Sequence, residues 1–363
     1  MKKHEMLKYE RLTSKKRKLK KQLFSQKIKS VYVKKGMKAA TLVESMVGMS
    51  IQARNLGQCA QIFGRMIEDK ERPLIIMGLA GPLIAAGLRK VIRDMVVNGY
   101  VDVVVSTGAI MYQDIYQALG YKHYKGTPDA DDSVLRDLRI DRIYDTYVDE
   151  ELFWKLDCWI SDKAFELEPG NYSSREFMEF LGTKIDDQES IVYQASRLRV
   201  PIFVPALNDS SIGIGLTEQR HICKFNNVQG VSIDSIQDNY ELTQIIVKSH
   251  KTAAVYVAGG VPKNYINDSV VMGYIFGIKR GHSYAIQIST AIVNDGGLSG
   301  STLSEAKSWG KIAKEAHSCF AWVEPSVALP LLYAYVVDRF KPGCRGRLRF
   351  EWEKEILKSI KMV

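Results

Sequence analysis

The sequence predicts an α/β fold: a single large domain built on a mostly parallel sheet with helices on both faces. Three observations predict it. Short apolar runs such as Pro73-Leu74-Ile75-Ile76-Met77 and Val101-Asp102-Val103-Val104-Val105 end in loops of small residues. Helical patterns follow those loops, which is the strand, turn, helix rhythm of parallel sheets. The rhythm returns at Val200 to Val204, Ala253 to Val257 and Tyr284 to Ile288, with no linker between the two halves.

Taken in order, the chain opens on a basic arm, residues 1–40. Met1 to Lys35 holds 14 Lys and Arg against Glu5 and Glu10, while the remaining chain carries 37 basic and 39 acidic residues. The overall charge of +10 is therefore the property of a tail on a nearly neutral body. Such a tail suits an acidic surface, or it is a solvated extension. The body lacks the clustered basic face of a dedicated nucleic-acid binder. Leu19, Leu23, Phe24 and Ile28 among the lysines predict a marginal amphipathic helix.

Residues 41–340 form the predicted domain. Thr41 to Glu68 is helical by the spacing of Leu42, Met46, Met49, Leu56, Ile62 and Met66. The first strand runs into Gly78 to Pro82 and a helix from Leu83 to Asn98, closed by Gly99. The second runs into Ser106-Thr107-Gly108-Ala109 and a helix from Met111 to Leu119. Tyr121 to Glu151 is polar, with nine carboxylates and three arginines from Asp129 onward, and reads as a surface excursion. Leu152 to Leu198 is mainly helical, broken at Gly170 to Ser174, where a serine caps the next helix. Trp322-Val323-Glu324 reads as a last short strand, with a helix from Ser326 to about Phe340. Residues 341–363 are expected to be a helical tail, with a final helix from about Glu351.

No apolar run is long enough for a membrane span, and no apolar core of a secretory signal follows the basic start. The five cysteines are scattered and odd in number, and the six histidines show no ligand spacing. No metal and no disulfide framework are expected, and the compartment implied is reducing, hence cytoplasmic. Loops at the carboxyl ends of parallel strands form the ligand crevice in Rossmann-like folds. Neither GxGxxG nor a Walker loop is present, so no standard nucleotide fingerprint marks it.

The stretch that carries chemistry is Gly296 to Ile312. A glycine loop leads into a helix start, with Ser301 or Ser304 as cap, and then Trp309-Gly310-Lys311. A lysine beside an indole face is open to desolvation, which favours the neutral, nucleophilic amine. The alternative is a solvated surface lysine.

Together, Ser106 to Ala109, Pro205 to Gly213, Gly259-Gly260-Val261-Pro262-Lys263 and Glu305 to Lys311 resemble the deoxyhypusine synthase family, in particular its bacterial deoxyhypusine synthase-like branch. The similarity runs from about Thr41 to Phe340. The resemblance implies an NAD-dependent transferase of aminobutyl groups acting on polyamines. Lys311 would be the catalytic nucleophile that captures an imine made from spermidine, releases diaminopropane and passes the aminobutyl group to an acceptor amine. Trp309 would pack on the polyamine and Glu305 would hold an ammonium. Asn264, Leu298 and Ile214 fall on substrate positions. Thr107, Gly108, Ala109, Asp209, Gly259, Thr290, Ala291, Asp295 and Glu324 fall on NAD positions. For the glycines and Thr290 the plainer reading is loop geometry, and for Asp209 a helix cap.

Departures bear on substrate. The eukaryotic enzymes carry Asp, His and Asp where this chain has Ile214, Asn264 and Leu298, and two glutamates where it has Tyr112-Gln113. Other acids, such as Glu218 and Asp295, would have to serve, or the donor differs. The acceptor is expected to be a small amine. A true deoxyhypusine synthase modifying a protein lysine, and a catalytically silent paralogue binding NAD or polyamine, are the alternatives. The resemblance also implies a homotetramer with sites across subunit pairs, which the basic arm could cover.

Overall fold

The computed structural model describes residues 12–363. The first eleven residues of the predicted arm lie outside the described residues.

Six strands form one parallel sheet: β1 (Leu74–Leu79), β2 (Val103–Ser106), β3 (Ile202–Phe203), β4 (Thr252–Val257), β5 (His282–Ile288) and β6 (Ile312–Ala321). Their spatial order is 3-2-1-4-5-6, every neighbouring pair parallel. This is the doubly wound order of Rossmann folds, which reverses between β1 and β4.

Alternation along each strand supplies two cores, since successive side chains leave opposite faces. Ile75, Met77 and Leu79 of β1 join Val255 of β4 and Ile286 of β5 on one face. Leu74 and Ile76 join Val103, Val105, Ala254 and Tyr256 on the other. The first face is covered by helices that include Ile51–Glu68, Arg89–Val97, Ser174–Thr183 and Pro325–Arg339. The second is covered by Ser235–Lys248, Gly260–Ile275 and Leu303–Ser308. Burial on both faces explains why these strands are apolar runs rather than alternating ones.

Several expectations are corrected. The tail is a β-hairpin, Leu348–Glu353 paired antiparallel with Ile356–Met362. Leu348, Phe350 and Trp352 alternate with Arg349, Glu351 and Glu353, a period of two that suits a strand and not a helix. Phe350 and Leu357 enter the second core beside Leu242 and Ile245, and Leu357 N donates to Gln244 Oε1 at 3.0 Å. Trp322 to Glu324 is no strand: the sheet strand before it is β6, and Glu324 caps the helix Pro325–Arg339 through Ser326 N at 2.8 Å. The helix expected from Leu83 begins only at Arg89, after a turn held by Ala86 N and Leu88 N.

The surface excursion holds a small sheet of Tyr124–Lys125, Thr146–Asp149 and Ile140–Ile143. Ser173 caps the next helix with a reciprocal bond from Glu176. In the arm, Ser14–Leu23 is a helix without buried residues, and Lys29 N reaches Gly48 O at 2.8 Å. No helix among the described residues is long and apolar enough to cross a membrane.

Candidate active site

Lys311 is placed by a helix stop. Thr302, not Ser301 or Ser304, caps Leu303–Ser308, its hydroxyl accepting from Glu305 N at 3.0 Å. Glu305 spends no bond in return, and its exposed carboxylate is left facing outward among the described residues. The helix ends at Trp309, and Gly310 takes φ +71°. Gly310 N returns to Lys307 O and Lys311 N to Ala306 O, both at 3.0 Å, which is the Schellman pair of bonds. A residue with Cβ would be strained there and would meet the Tyr274 hydroxyl. Trp-Gly-Lys is thus a helix terminus that turns Lys311 into β6, its carbonyl accepting from His282 N at 3.1 Å.

The Lys311 side chain is 14% exposed, and Nζ lies 3.2 Å from Asp268 Oδ1. It sits over the Trp309 ring at 5.3 Å from the centroid, and the indole itself is 64% exposed. Asp268 is braced in turn: Asn264 Nδ2, one turn back on Gly260–Ile275, donates to Asp268 Oδ2 at 2.8 Å. Asn264 and Lys311, both predicted, therefore meet through a residue that sequence reasoning missed. Its signal was the four-residue step from Asn264, which puts both on one helix face.

The glycine loop is tied down from below. Buried Lys263 donates to Leu298 O at 3.0 Å, Ser301 O at 2.6 Å and Ser301 Oγ at 2.9 Å. Burial pushes its ammonium down to about 8, with Glu305 opposing and Lys311 adding to the shift. Gln287 Nε2 bonds both Ala258 O and Ser299 O at 2.9 Å. Gly259 passes so close to Ser299 that a Cβ would lie 2.6 Å from its Cα. Lys263, Gln287 and Ser299 were given no role by the sequence. Leu298 stands half-exposed on this loop. Asp295 Oδ1 accepts from Gly297 N at 2.7 Å, and Thr290 and Ala291 follow β5.

The remaining predicted residues form a second group beyond β2 and β3. Thr107, Gly108 and Ala109 open the helix Gly108–Ala118, and Ser210 Oγ stands against Gly108. Asp209 is exposed and does not cap the helix Ser211–Phe225: Ser210 is its first flanking residue, without a side-chain cap. Ile214 is 57% exposed on that helix. Tyr112 donates to Asp157 Oδ1 at 2.7 Å, and burial, with Glu218 nearby, pushes Asp157 up to about 6. Strands lie about 4.8 Å apart, so the ends of β3 and β5 are roughly 19 Å from each other within one chain. The structure joins Lys311 to Trp309 and, through Asp268, to Asn264, and it ties Leu298 and Gly259 to the glycine loop, while Asp209 and Ile214 stand strands away.

One pattern links both groups. The helices following β1, β2 and β3 begin without a side-chain cap among the described residues, while Gly260 N, at the start of the helix after β4, donates to Ser299 Oγ at 3.0 Å. Those following β5 and β6 are capped by Thr302 and Glu324. The uncapped starts after β1, β2 and β3 leave backbone N–H groups for an anion beside the carboxyl ends of those strands. The residues present thus fit a dinucleotide's phosphates, although no GxGxxG marks them. Among the described residues, no three His, Cys, Asp or Glu side chains are grouped to hold a metal ion.

The fold and site define a Rossmann-like protein with a lysine pinned between Trp309 and Asp268. The profile of the family described as Deoxyhypusine synthase matches residues 41–336. A deoxyhypusine synthase-like protein of Chlorobaculum tepidum is 47% identical over 305 residues, covering 82% of this chain and 86% of the relative. Another, of Coxiella burnetii, is 44% identical over 301 residues, covering 81% and 84%. A crystal structure assigned to a deoxyhypusine synthase of Entamoeba histolytica superposes with a TM-score of 0.58 at 20% identity, covering 87% of this chain and 98% of that one, and supports the fold. The chain belongs to the deoxyhypusine synthase family.

Proposed function

We propose that the protein is an NAD-dependent aminoalkyl transferase of polyamine-type amines, working through an imine on Lys311. The observation that carries this reading is the placement of the Lys311 amine, held between Trp309 and Asp268. NAD, when bound, supplies the acceptor and later the donor of a hydride. Thr107, Gly108, Ala109, Asp209, Gly259, Thr290, Ala291, Asp295 and Glu324 are the residues that would hold it. Lys311 Nζ adds to the imine carbon of the oxidised donor, and the donor's amine leaves as the carbon–nitrogen double bond forms to Lys311. An acceptor amine adds to that carbon and Lys311 departs. Glu305 binds the far ammonium and Trp309 covers the methylene chain.

Apolar Ile214 and Leu298 bear on the substrate pair. Burying an ammonium without a carboxylate costs several kcal/mol on the order of a broken buried ion pair. The donor therefore rests on Glu305 and its neighbours, and a small amine is the acceptor. The separation of the two residue groups supports a site completed by a second copy, within a homotetramer.

The test is borohydride trapping with NAD and spermidine, putrescine, agmatine or homospermidine, read by peptide mass spectrometry. A reduced aminoalkyl adduct on Lys311, dependent on NAD, is expected from at least one amine. No adduct from any of them overturns the reading.

A further inference from the structure

We propose that Asp268 is the positioning residue of the Lys311 amine: its carboxylate both aims Nζ and restrains its reactivity until substrate is bound. This rests on the reading of Lys311 as nucleophile. Asp268 Oδ1 is 3.2 Å from Nζ, and Oδ2 is fixed by Asn264 at 2.8 Å, so the carboxylate is oriented at both oxygens. The Asp268 side chain is 42% exposed while that of Lys311 is 14% exposed. The carboxylate is thus the open half of the pair, facing the side from which a cationic amine would arrive.

The other charged groups around Lys311 are few. Lys263, on the same helix as Asp268, is committed to the glycine loop by three bonds. Glu305, on Leu303–Ser308, has no partner among the described residues. His282 of β5 is buried and bonded through Nδ1 to Thr252. Asp268 is therefore the carboxylate in direct contact with the amine. An amine engaged by a fixed carboxylate has to leave that contact before it can add to carbon. An incoming polyamine cation offers Asp268 a second partner of the same chemistry. As it takes the carboxylate, Lys311 Nζ is released to form the new bond to carbon, and the proton lost from that nitrogen goes to the departing amine.

The two duties of Asp268 move in opposite directions when its charge is removed. In Asp268→Asn, the shape is kept and the charge is lost. Acylation of Lys311 by dilute acetic anhydride near neutral pH, read at its own peptide, is expected to rise severalfold. Borohydride trapping of the amine substrate on the same residue is expected to fall about tenfold or more, since an unaimed nucleophile loses its near-attack geometry. Asp268→Glu, which restores the charge on a longer arm, is expected to return acylation toward the native rate. A structural role alone would leave acylation unchanged or raise it equally in both variants, with a lowered melting temperature. Unchanged acylation in Asp268→Asn overturns the proposal. Raised acylation in a chain where no amine is trapped even by the native protein sinks the transferase reading and leaves this assignment standing.

Discussion

Lys263 Nζ donates to Ser301 O at 2.6 Å, joining the first turn of a core helix to the glycine loop that precedes Trp309 and Lys311. An ammonium with three oxygen partners in a nearly water-free place is the loop's clamp.

Lys263→Met tests that clamp. Ser301 O and Ser301 Oγ lose their Lys263 donor, while Leu298 O keeps that of Ser301 Oγ, at about 1–3 kcal/mol for an unsatisfied buried group. The folded-state value of about 8 lies below that of a free lysine. Its contribution is fully present above the unfolded value and is lost as pH falls through about 8. The stability gap between native protein and variant should therefore widen as pH rises from 7 toward 10. Denaturant melts at a series of pH values measure it, and a gap that narrows refutes the assignment.

Asp238 offers the opposite sign. Its Oδ1 accepts from Ser174 N and Oγ at 2.8 Å, its Oδ2 has no partner, and burial pushes the acid up to about 7. A folded-state value above the unfolded one gives stability that is complete below about 4 and is lost as pH rises through about 7. Asp238→Asn removes that titration. The variant should gain on the native protein between pH 5 and 7, by up to about 1.4 kcal/mol per pH unit. Parallel lines of stability against pH would exclude it.

The C-terminal hairpin should carry core stability. Phe350 and Leu357 are buried in the second core, and truncating a buried Leu or Phe costs about 2–5 kcal/mol. Leu357→Ala should lower the urea midpoint accordingly, while Lys358→Ala, on the exposed side, should change it by less than about 0.5 kcal/mol.

Complementation tests whether one site needs two chains. Lys311→Ala and Asp209→Ala should each lose activity alone. Refolded together, half of the pairs are mixed and each mixed pair keeps one intact site, so about a quarter of the activity returns. A mixture as inactive as its parents places both residues in one subunit's site.

Much of the molecule was legible from residues close in sequence. The apolar runs of β1, β4 and β5 marked strands buried on both faces, and the motif ending at Lys311 marked the candidate nucleophile. The C-terminal hairpin was legible as well, in the alternation from Leu348 to Glu353, although a final helix from about Glu351 was expected there. The cap at Thr302 was missed because Ser301 and Ser304 are equally good cap residues by type.

By itself, the sequence determined the α/β class, most of the strands and helices ahead of Trp322, and the family to which its motifs belong. Periodicity, helix caps and left-handed glycines depend on neighbours along the chain, so they can be read there. Only the tertiary structure decided that Asp268 meets Lys311, that Lys263 holds the glycine loop, and that Asp209 and Ile214 stand strands away from both. Those contacts arise where separate elements pack on one sheet, and their partners follow from strand order rather than from spacing in the chain.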